Sequence, residues 1–251
     1  MASLIERYEA GETVEVWQEL IDADAAVRQS GGEVAAQARG VAERAMRRVR
    51  GNVELLIGRL EELGYRFSRR EAAITAPAAD TDALVEQVEA QIGPLPLALV
   101  AFYRQIGEID LRGELPAWEP PGAWADGAPL AGVADDARCY ADPLVVPPLR
   151  ALVDQLEELA EELAALEPEE ALLIGFSGDA LAKREGDDAG GLYGILLPDP
   201  AFDTDLEAHG ATTFGDYLRD ALRWSGFPGW IHYAEPPLET IEALRANFER
   251  F

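Results

Sequence analysis

One serine, two histidines and a group of aspartates are the residues of this 251-residue sequence best suited to chemistry. Ser177 is preceded by Gly175-Phe176 and followed by Gly178-Asp179, so the final glycine of a G-x-S-x-G nucleophile elbow is missing. His209 and His232 are not at metal-ligand spacing from one another. These residues leave catalysis open, but none of them requires it.

The aspartates could serve as oxygen ligands for a cation. Asp199, Asp203 and Asp205 follow a predicted strand, but the twelve-residue calcium-loop pattern is absent, and we expect a solvated loop. Asp187 and Asp188 are adjacent carboxylates with no accompanying base or electrophile. The glycines of residues 190–194 precede no G-K-[ST] sequence, so they do not form a phosphate loop. We predict no catalytic residue, no metal site and no cofactor.

The net charge of −26 is the strongest feature of the composition, and it is unevenly distributed. Residues 1–80 contain 11 arginines and 14 acidic residues, a net charge of −3, whereas residues 81–251 contain 10 basic and 33 acidic residues, a net charge of −23. Such a field repels nucleic acid and anionic membranes and attracts basic proteins. A protein partner is therefore predicted, with neither nucleic acid nor membrane as a partner.

The remaining composition is that of an ordinary globular protein. No apolar run approaches the length of a membrane span, and the first residues lack the apolar region of a signal peptide, so we predict a cytoplasmic protein. Cys139 is the single cysteine, which excludes an intramolecular disulfide. Lys183 is the single lysine, a bias typical of a GC-rich bacterial genome.

The first 75 residues are predicted to form a helical hairpin. Thr13 can cap a helix that ends before Gly31, and a longer helix follows from about Glu33 to Leu63. The second helix contains a cluster of four arginines, which either binds an anion or is a solvated face matched to the acidic remainder of the chain. The members of this cluster are Arg44, Arg47, Arg48 and Arg50.

A linker at residues 76–79 is the predicted boundary to a second unit, residues 80–251. Pro94 and Pro96 precede a helix that contains Phe102 and Tyr103, and Gly107 is expected to close it in the left-handed conformation. Residues 108–113 alternate as a half-buried strand does. Further strands are predicted at residues 142–148, 171–176 and 191–197, and helices at 149–166 and after Thr213. The fold class is α+β: a mixed, mainly antiparallel sheet with helices packed on one side, preceded by the helical hairpin.

Over residues 80–224 the chain resembles the SUKH superfamily. The resemblance rests on Leu95-Pro96, Phe102-Tyr103 and Gly107, then on Gly178-Asp179 and Gly191, and finally on Thr213-Phe214-x-x-Tyr217-Leu218. Bacterial members of this superfamily are largely immunity proteins that bind and neutralise toxins. The resemblance therefore implies a non-catalytic protein-binding module with a mixed α+β sheet, whose acidic surface could fill the basic cleft of a toxin.

Loops beside strand ends are the natural place for partner contacts. The candidate partner-binding residues are Trp118, Trp124, Asp179, Asp187 and Asp188. Two alternatives remain: a metal-dependent enzyme or ligand-binding protein that uses the carboxylates of residues 179–205, and a scaffold protein that self-associates through its N-terminal helices.

Overall fold

The computed structural model describes residues 2–23, 27, 31–115, 141–165, 171–185, 190–207, 213–232 and 236–251. Its α-helices are α1 (Leu4–Glu9), α2 (Thr13–Asp22), α3 (Gly32–Glu62), α4 (Thr81–Ile92), α5 (Leu97–Gln105), α6 (Leu149–Glu158), α7 (Ala160–Ala165), α8 (Ala180–Glu185), α9 (Phe214–Arg223) and α10 (Leu238–Leu244). Its strands are β1 (Arg66–Phe67), β2 (Ile74–Thr75), β3 (Glu108–Asp110), β4 (Gly113–Glu114), β5 (Val145–Val146), β6 (Leu172–Gly178), β7 (Leu192–Leu197) and β8 (Leu206–Glu207).

The predicted α+β class is confirmed, and every described strand pairing is antiparallel. The strands are divided among three small sheets, β1-β4, β2-β3-β5 and β6-β7-β8. In the second sheet Ile109 lies opposite Val146, and in the third Ile174 lies opposite Ile195. Strand β5 lies against β6, so the second and third sheets adjoin.

Helix α5 occupies the centre of the hydrophobic core. We expected one apolar face, but every residue from Leu97 to Tyr103 is buried. The reason is that α3 packs along it, while the ring of Phe214 meets the ring of Phe102 edge-on at 5.5 Å. The N-terminal helices thus share one continuous core with the strands. The proposed boundary at residues 76–79 stays a prediction.

The N-terminal helices begin and end close to the predicted residues. Helix α3 runs from Gly32 to Glu62, and Gly64 follows it at φ +90° as a C-terminal glycine does. Helix α2 begins at Thr13 itself, preceded by Glu12 as N-cap, so the prediction that Thr13 caps it was wrong. No helix in the described ranges is long and apolar enough to cross a membrane.

Two local predictions around α5 were wrong for tertiary reasons. Gly107 does not adopt positive φ; it is required because a Cβ there would overlap the carbonyl oxygen of Ala76. The alternation expected over residues 108–113 fails at Asp110, which is 1% exposed. Asp110 is buried because Arg112 donates two hydrogen bonds to its carboxylate, at 2.9 and 2.8 Å.

Substituting Gly107 with alanine tests this close approach. We expect G107A to lower the free energy of unfolding by about 1–3 kcal/mol, since the new methyl group must displace backbone atoms. G51A is the matched control: Gly51 lies exposed inside α3 with open space around it, and alanine there should stabilise by about 1 kcal/mol. Urea titration of both variants measures the difference. Equal stabilities for G107A and wild type would contradict the close approach.

Candidate functional site

The connection between β6 and β7 contains three of the five candidate residues. Asp179 follows β6 and begins the turn into α8, as its predicted place beside a strand end requires. Its Oδ1 accepts hydrogen bonds from the N–H groups of Leu181 (3.0 Å) and Ala182 (2.8 Å), and Oδ2 accepts one from Gly191 (2.6 Å). The Asp179 carboxylate therefore holds the two ends of this connection together, and any contact with a partner stays a prediction.

The other four candidates lie outside the described residues. These are Trp118, Trp124, Asp187 and Asp188, together with Cys139 and His209 among the residues considered for chemistry. His232 lies exposed at the end of a short 3-10 helix, Pro228–His232. Within the described ranges no group of three or more His, Cys, Asp or Glu residues is arranged to hold a metal ion.

A buried ion pair lies directly beneath α8, and sequence analysis missed it. Lys183 Nζ is 2.6 Å from Asp142 Oδ1, and the two side chains are only 2% and 5% exposed. The pair is completed by two tyrosines: Tyr193 Oη donates to Asp142 Oδ2 at 2.8 Å, and Tyr217 Oη accepts from Lys183 Nζ at 3.3 Å. Tyr217 Oη in turn donates to the carbonyl oxygen of Val145 at 3.2 Å. The cluster joins β7, α8 and α9 to the segment before β5.

One feature of the sequence could have indicated this buried ion pair: Lys183 is the only lysine in a chain that otherwise uses arginine. Its Nζ lies 4.8 Å from the ring centre of Tyr193 and 5.7 Å from that of Tyr217. A compact ammonium group fits between two rings and one carboxylate, whereas a planar guanidinium needs a wider site with more acceptors. The position therefore favours lysine even in a chain that otherwise uses arginine.

The surroundings keep Lys183 charged. Burial alone would lower the pKa of Lys183, but the interactions with Tyr217 and Asp142 outweigh it and raise that pKa above its ordinary value. Burial, reinforced by the neighbouring Asp142, raises the pKa of Tyr193, so its hydroxyl remains a hydrogen-bond donor. The cluster is thus an ion pair with neutral tyrosine partners.

A cavity of about 290 Å³ lies beside this cluster, between α6 and β6. Its polar lining comes from Tyr103, Arg112, Gln155, Ser177 and Lys183. The two cations are already matched by Asp142 and Asp110, and no described histidine lines the cavity. Within the described ranges, Ser177 Oγ donates only to the carbonyl oxygen of Gly178, at 3.3 Å. The lining offers hydrogen bonds to a small polar molecule but no activated nucleophile.

Helix α6 has a second, outward-facing side. Leu152 and Gln155 face the cavity, whereas the exposed residues of α6 and α7 include five carboxylates, several alanines and Arg150, which pairs with Asp80 at 2.9 Å. We call the five carboxylates the acidic face: Asp154, Glu157, Glu158, Glu161 and Glu162. Three of them lie on α6 and two on α7. None of them forms an ion pair with a described residue.

Most described arginines, by contrast, are engaged within the chain. Arg44 and Arg48 both pair with Glu9, at 2.9 and 2.8 Å, and Arg50 pairs with Glu54 at 2.8 Å. Three of the four arginines in the α3 cluster are therefore matched by carboxylates of the protein itself. This favours intramolecular matching over the anion site for that cluster.

A second buried carboxylate lies in the loop after β7. Asp203 was expected in a solvated loop, but it is 7% exposed, and that prediction was wrong. Trp17 Nε1 donates to Oδ2 at 3.1 Å, and the N–H groups of Thr204 (3.0 Å) and Gly215 (3.2 Å) donate to Oδ1. Burial raises the pKa of Asp203 to about 6 against the effect of these donors. The carboxylate ties the loop to α2 and α9.

Comparison of the chain with protein-family models, with curated proteins and with solved structures finds no match in any of the three.

The buried pair predicts a specific pattern in a double-mutant cycle. K183M should lower the free energy of unfolding by about 3–5 kcal/mol, because Asp142 is left charged and unpaired in the interior. Adding D142N should recover more than half of that loss, since the asparagine can still accept the hydrogen bond from Tyr193. Urea titrations of the two single variants and the double variant measure the coupling. Additive losses would show that the two charges do not interact.

Asp203 predicts a component of the pH dependence of stability. Its folded pKa of about 6 exceeds the unfolded value of about 3.9, so the folded state binds the proton more tightly. The free energy of unfolding therefore falls by about 2–3 kcal/mol as pH rises from 4 to 6. D203N should remove this component, whereas D205N, at an exposed neighbouring position, should retain it. Thermal melts of both variants between pH 4 and pH 7 measure how the melting temperature depends on pH. The same pH dependence in D203N and D205N would contradict the raised pKa of Asp203.

Proposed function

We propose that the protein is a non-catalytic protein-binding module that receives a basic partner on the acidic face of α6 and α7. The observation that carries this proposal is the five exposed carboxylates of that face, none of which is matched by a described cation. An unmatched row of like charges is unfavourable in the free protein and favourable opposite a basic surface. It also speeds the encounter with such a surface.

The underside of α6 supports the same proposal. Leu149, Leu152, Val153 and Leu156 are buried, so the helix is anchored by its apolar side. A helix fixed in this way presents its carboxylates without the entropy loss that a mobile segment would incur on binding. The acidic face is therefore preorganised for a partner.

The resemblance to the SUKH superfamily supports an immunity function as the finer proposal. In that case the partner is a toxin whose basic cleft is filled by carboxylates. Trp118, Trp124, Asp179, Asp187 and Asp188 remain the proposed contacts beyond the acidic face. Asp179 has its carboxylate occupied by backbone N–H groups, so its proposed contribution is to position the connection that leads to Asp187 and Asp188.

The alternatives receive less support from the described residues. Self-association through the N-terminal helices would need a continuous apolar face, yet Val41, Val49, Val53 and Leu60 of α3 are buried within the same chain. The exposed apolar residues of these helices, Val14, Val34, Leu55 and Leu63, are scattered along the sequence. A metal-dependent activity would use the carboxylates of residues 179–205, but the described Asp179 and Asp203 are each occupied by N–H donors. Neither alternative is favoured by a specific observation.

The proposal is tested by immobilising the protein and identifying which proteins it retains from a lysate of the cells in which it occurs. Wild type, E157Q/E158Q/E161Q/E162Q and the matched control E15Q/E62Q/E71Q/E242Q, which changes four exposed carboxylates elsewhere, are immobilised in parallel at 150 mM salt. We expect wild type and control to retain the same basic protein, and the α6–α7 variant to retain at least tenfold less. D187N/D188N tests the adjoining connection in the same way.

Two outcomes would contradict the proposal. Equal retention by all variants would place the partner elsewhere on the surface. Equal losses in the α6–α7 variant and the control would indicate general charge attraction instead of a defined site. Matching thermal melting temperatures exclude unfolding as the cause of a loss.

A further inference from the structure

A second cavity, of about 530 Å³, differs from the rest of the molecule in charge. It lies between the N-terminal end of α2, the C-terminal end of α9 and residues 245–251. Four arginines line it: Arg219, Arg223, Arg245 and Arg250. Glu249 is the only acidic side chain among the described residues of the lining, so the lining side chains carry a formal charge of +3 within a chain of net charge −26.

Most of this positive charge is not matched by the protein itself. Arg223, Arg245 and Arg250 form no ion pair with any carboxylate in the described ranges. Glu249 is held by a different cation, Arg48, at 3.5 Å. These three guanidinium groups thus stand in contrast to Arg44, Arg48 and Arg50 of α3, which pair with carboxylates. The remote negative charge of the chain is screened over about 8 Å at physiological salt, so the local cations dominate the cavity.

Arg219 is fixed at the inner wall of the cavity. Its guanidinium lies 4.6 Å from the ring centre of Trp17, Nε donates to the carbonyl oxygen of Phe251 at 3.1 Å, and Nη1 lies 3.3 Å from Asp216 Oδ1. Nη2 is buried and has no hydrogen-bond partner among the described residues. Arg219 is therefore a half-buried cation with one buried N–H group that no described residue accepts.

The N-terminal end of α2 adds donors to the same cavity. Thr13 and Val14 line it, and the N-cap residue Glu12 makes no side-chain hydrogen bond to the first turn. The first N–H groups of a helix have no partner within the helix and attract anions. Helix α2 is ten residues long and its dipole favours an anion at this end, where the carboxylates of Glu12 and Glu15 act against it.

We propose that this cavity binds a small organic phosphate, with the phosphate group on Arg223, Arg250 and the first turn of α2. A lining charge of +3 matches a phosphomonoester, which carries nearly two negative charges, better than a single carboxylate. Leu222 and Phe248 give the cavity an apolar wall for the organic group. The volume lies within the range of small-molecule sites.

Calorimetric titration of the full chain with phenyl phosphate at 150 mM sodium chloride tests the site, and inorganic phosphate is titrated in a second arm. Three proteins are compared: wild type, R223Q/R250Q, and the control R39Q/R47Q, which removes two exposed, unpaired arginines of α3. We expect wild type and control to bind phenyl phosphate equally and R223Q/R250Q to bind at least tenfold more weakly. Inorganic phosphate should bind more weakly than phenyl phosphate because it lacks the apolar contact.

A measurement on the wild-type protein is independent of how the variants fold. Addition of phenyl phosphate should shift the amide NMR signals of Thr13, Val14, Leu222 and Phe248 and leave those of Glu157 and Glu158 unchanged. Absence of binding by wild type, equal losses in both variants, or shifts spread over the whole surface would overturn the proposal. Because no residue of the acidic face lines the cavity, such a failure leaves the protein-binding proposal unaffected.

Discussion

The ion pair between Lys183 and Asp142 is the interaction on which the arrangement of the sheets depends. Asp142 lies at φ +52° just before β5, and Lys183 lies on α8, which follows β6. Backbone hydrogen bonds also hold the segment around Asp142. Gly229 N–H donates to Ala141 O at 3.0 Å, and Leu144 N–H donates to Gly226 O at 2.7 Å. Two charges buried together must remain together, because either one alone in the interior costs several kcal/mol. The pair therefore ties α8, which follows β6 of the third sheet, to the segment that leads into β5 of the second.

The two proposed sites follow from how the fold distributes charge. Arg44, Arg48 and Arg50 of α3 are paired with carboxylates of the same chain, and no described cation pairs with the acidic face of α6 and α7. At the C-terminal end of α9 the balance is reversed, and Arg223 and Arg245 face a cavity without carboxylate partners. A chain of net charge −26 thus presents one strongly acidic helix face and one locally basic cavity, which suit partners of opposite charge.

Local sequence patterns predicted the helices and the longer strands well, because periodicity and capping act within a few residues. The cap at Thr213 is an example: its Oγ1 accepts from the N–H of Asp216 at 3.1 Å, as the sequence suggested. What could not be predicted depends on residues distant in sequence. Gly107 is required by Ala76, 31 positions before it, and Asp203 is buried by Trp17, 186 positions away. The sequence showed that Lys183 is the only lysine, but it did not show that Asp142 is its partner.

The most direct test of the central ion pair uses the fact that the chain has one lysine. Growth with ¹³C-labelled lysine gives a single side-chain NMR signal, whose Cε chemical shift reports the charge of Lys183 through a pH titration. The account predicts a dispersed signal that remains in the charged form beyond the ordinary titration range of lysine, near pH 10.4, until the protein unfolds. A signal at the position of a solvent-exposed lysine, or one that titrates below pH 10, would contradict the buried pair.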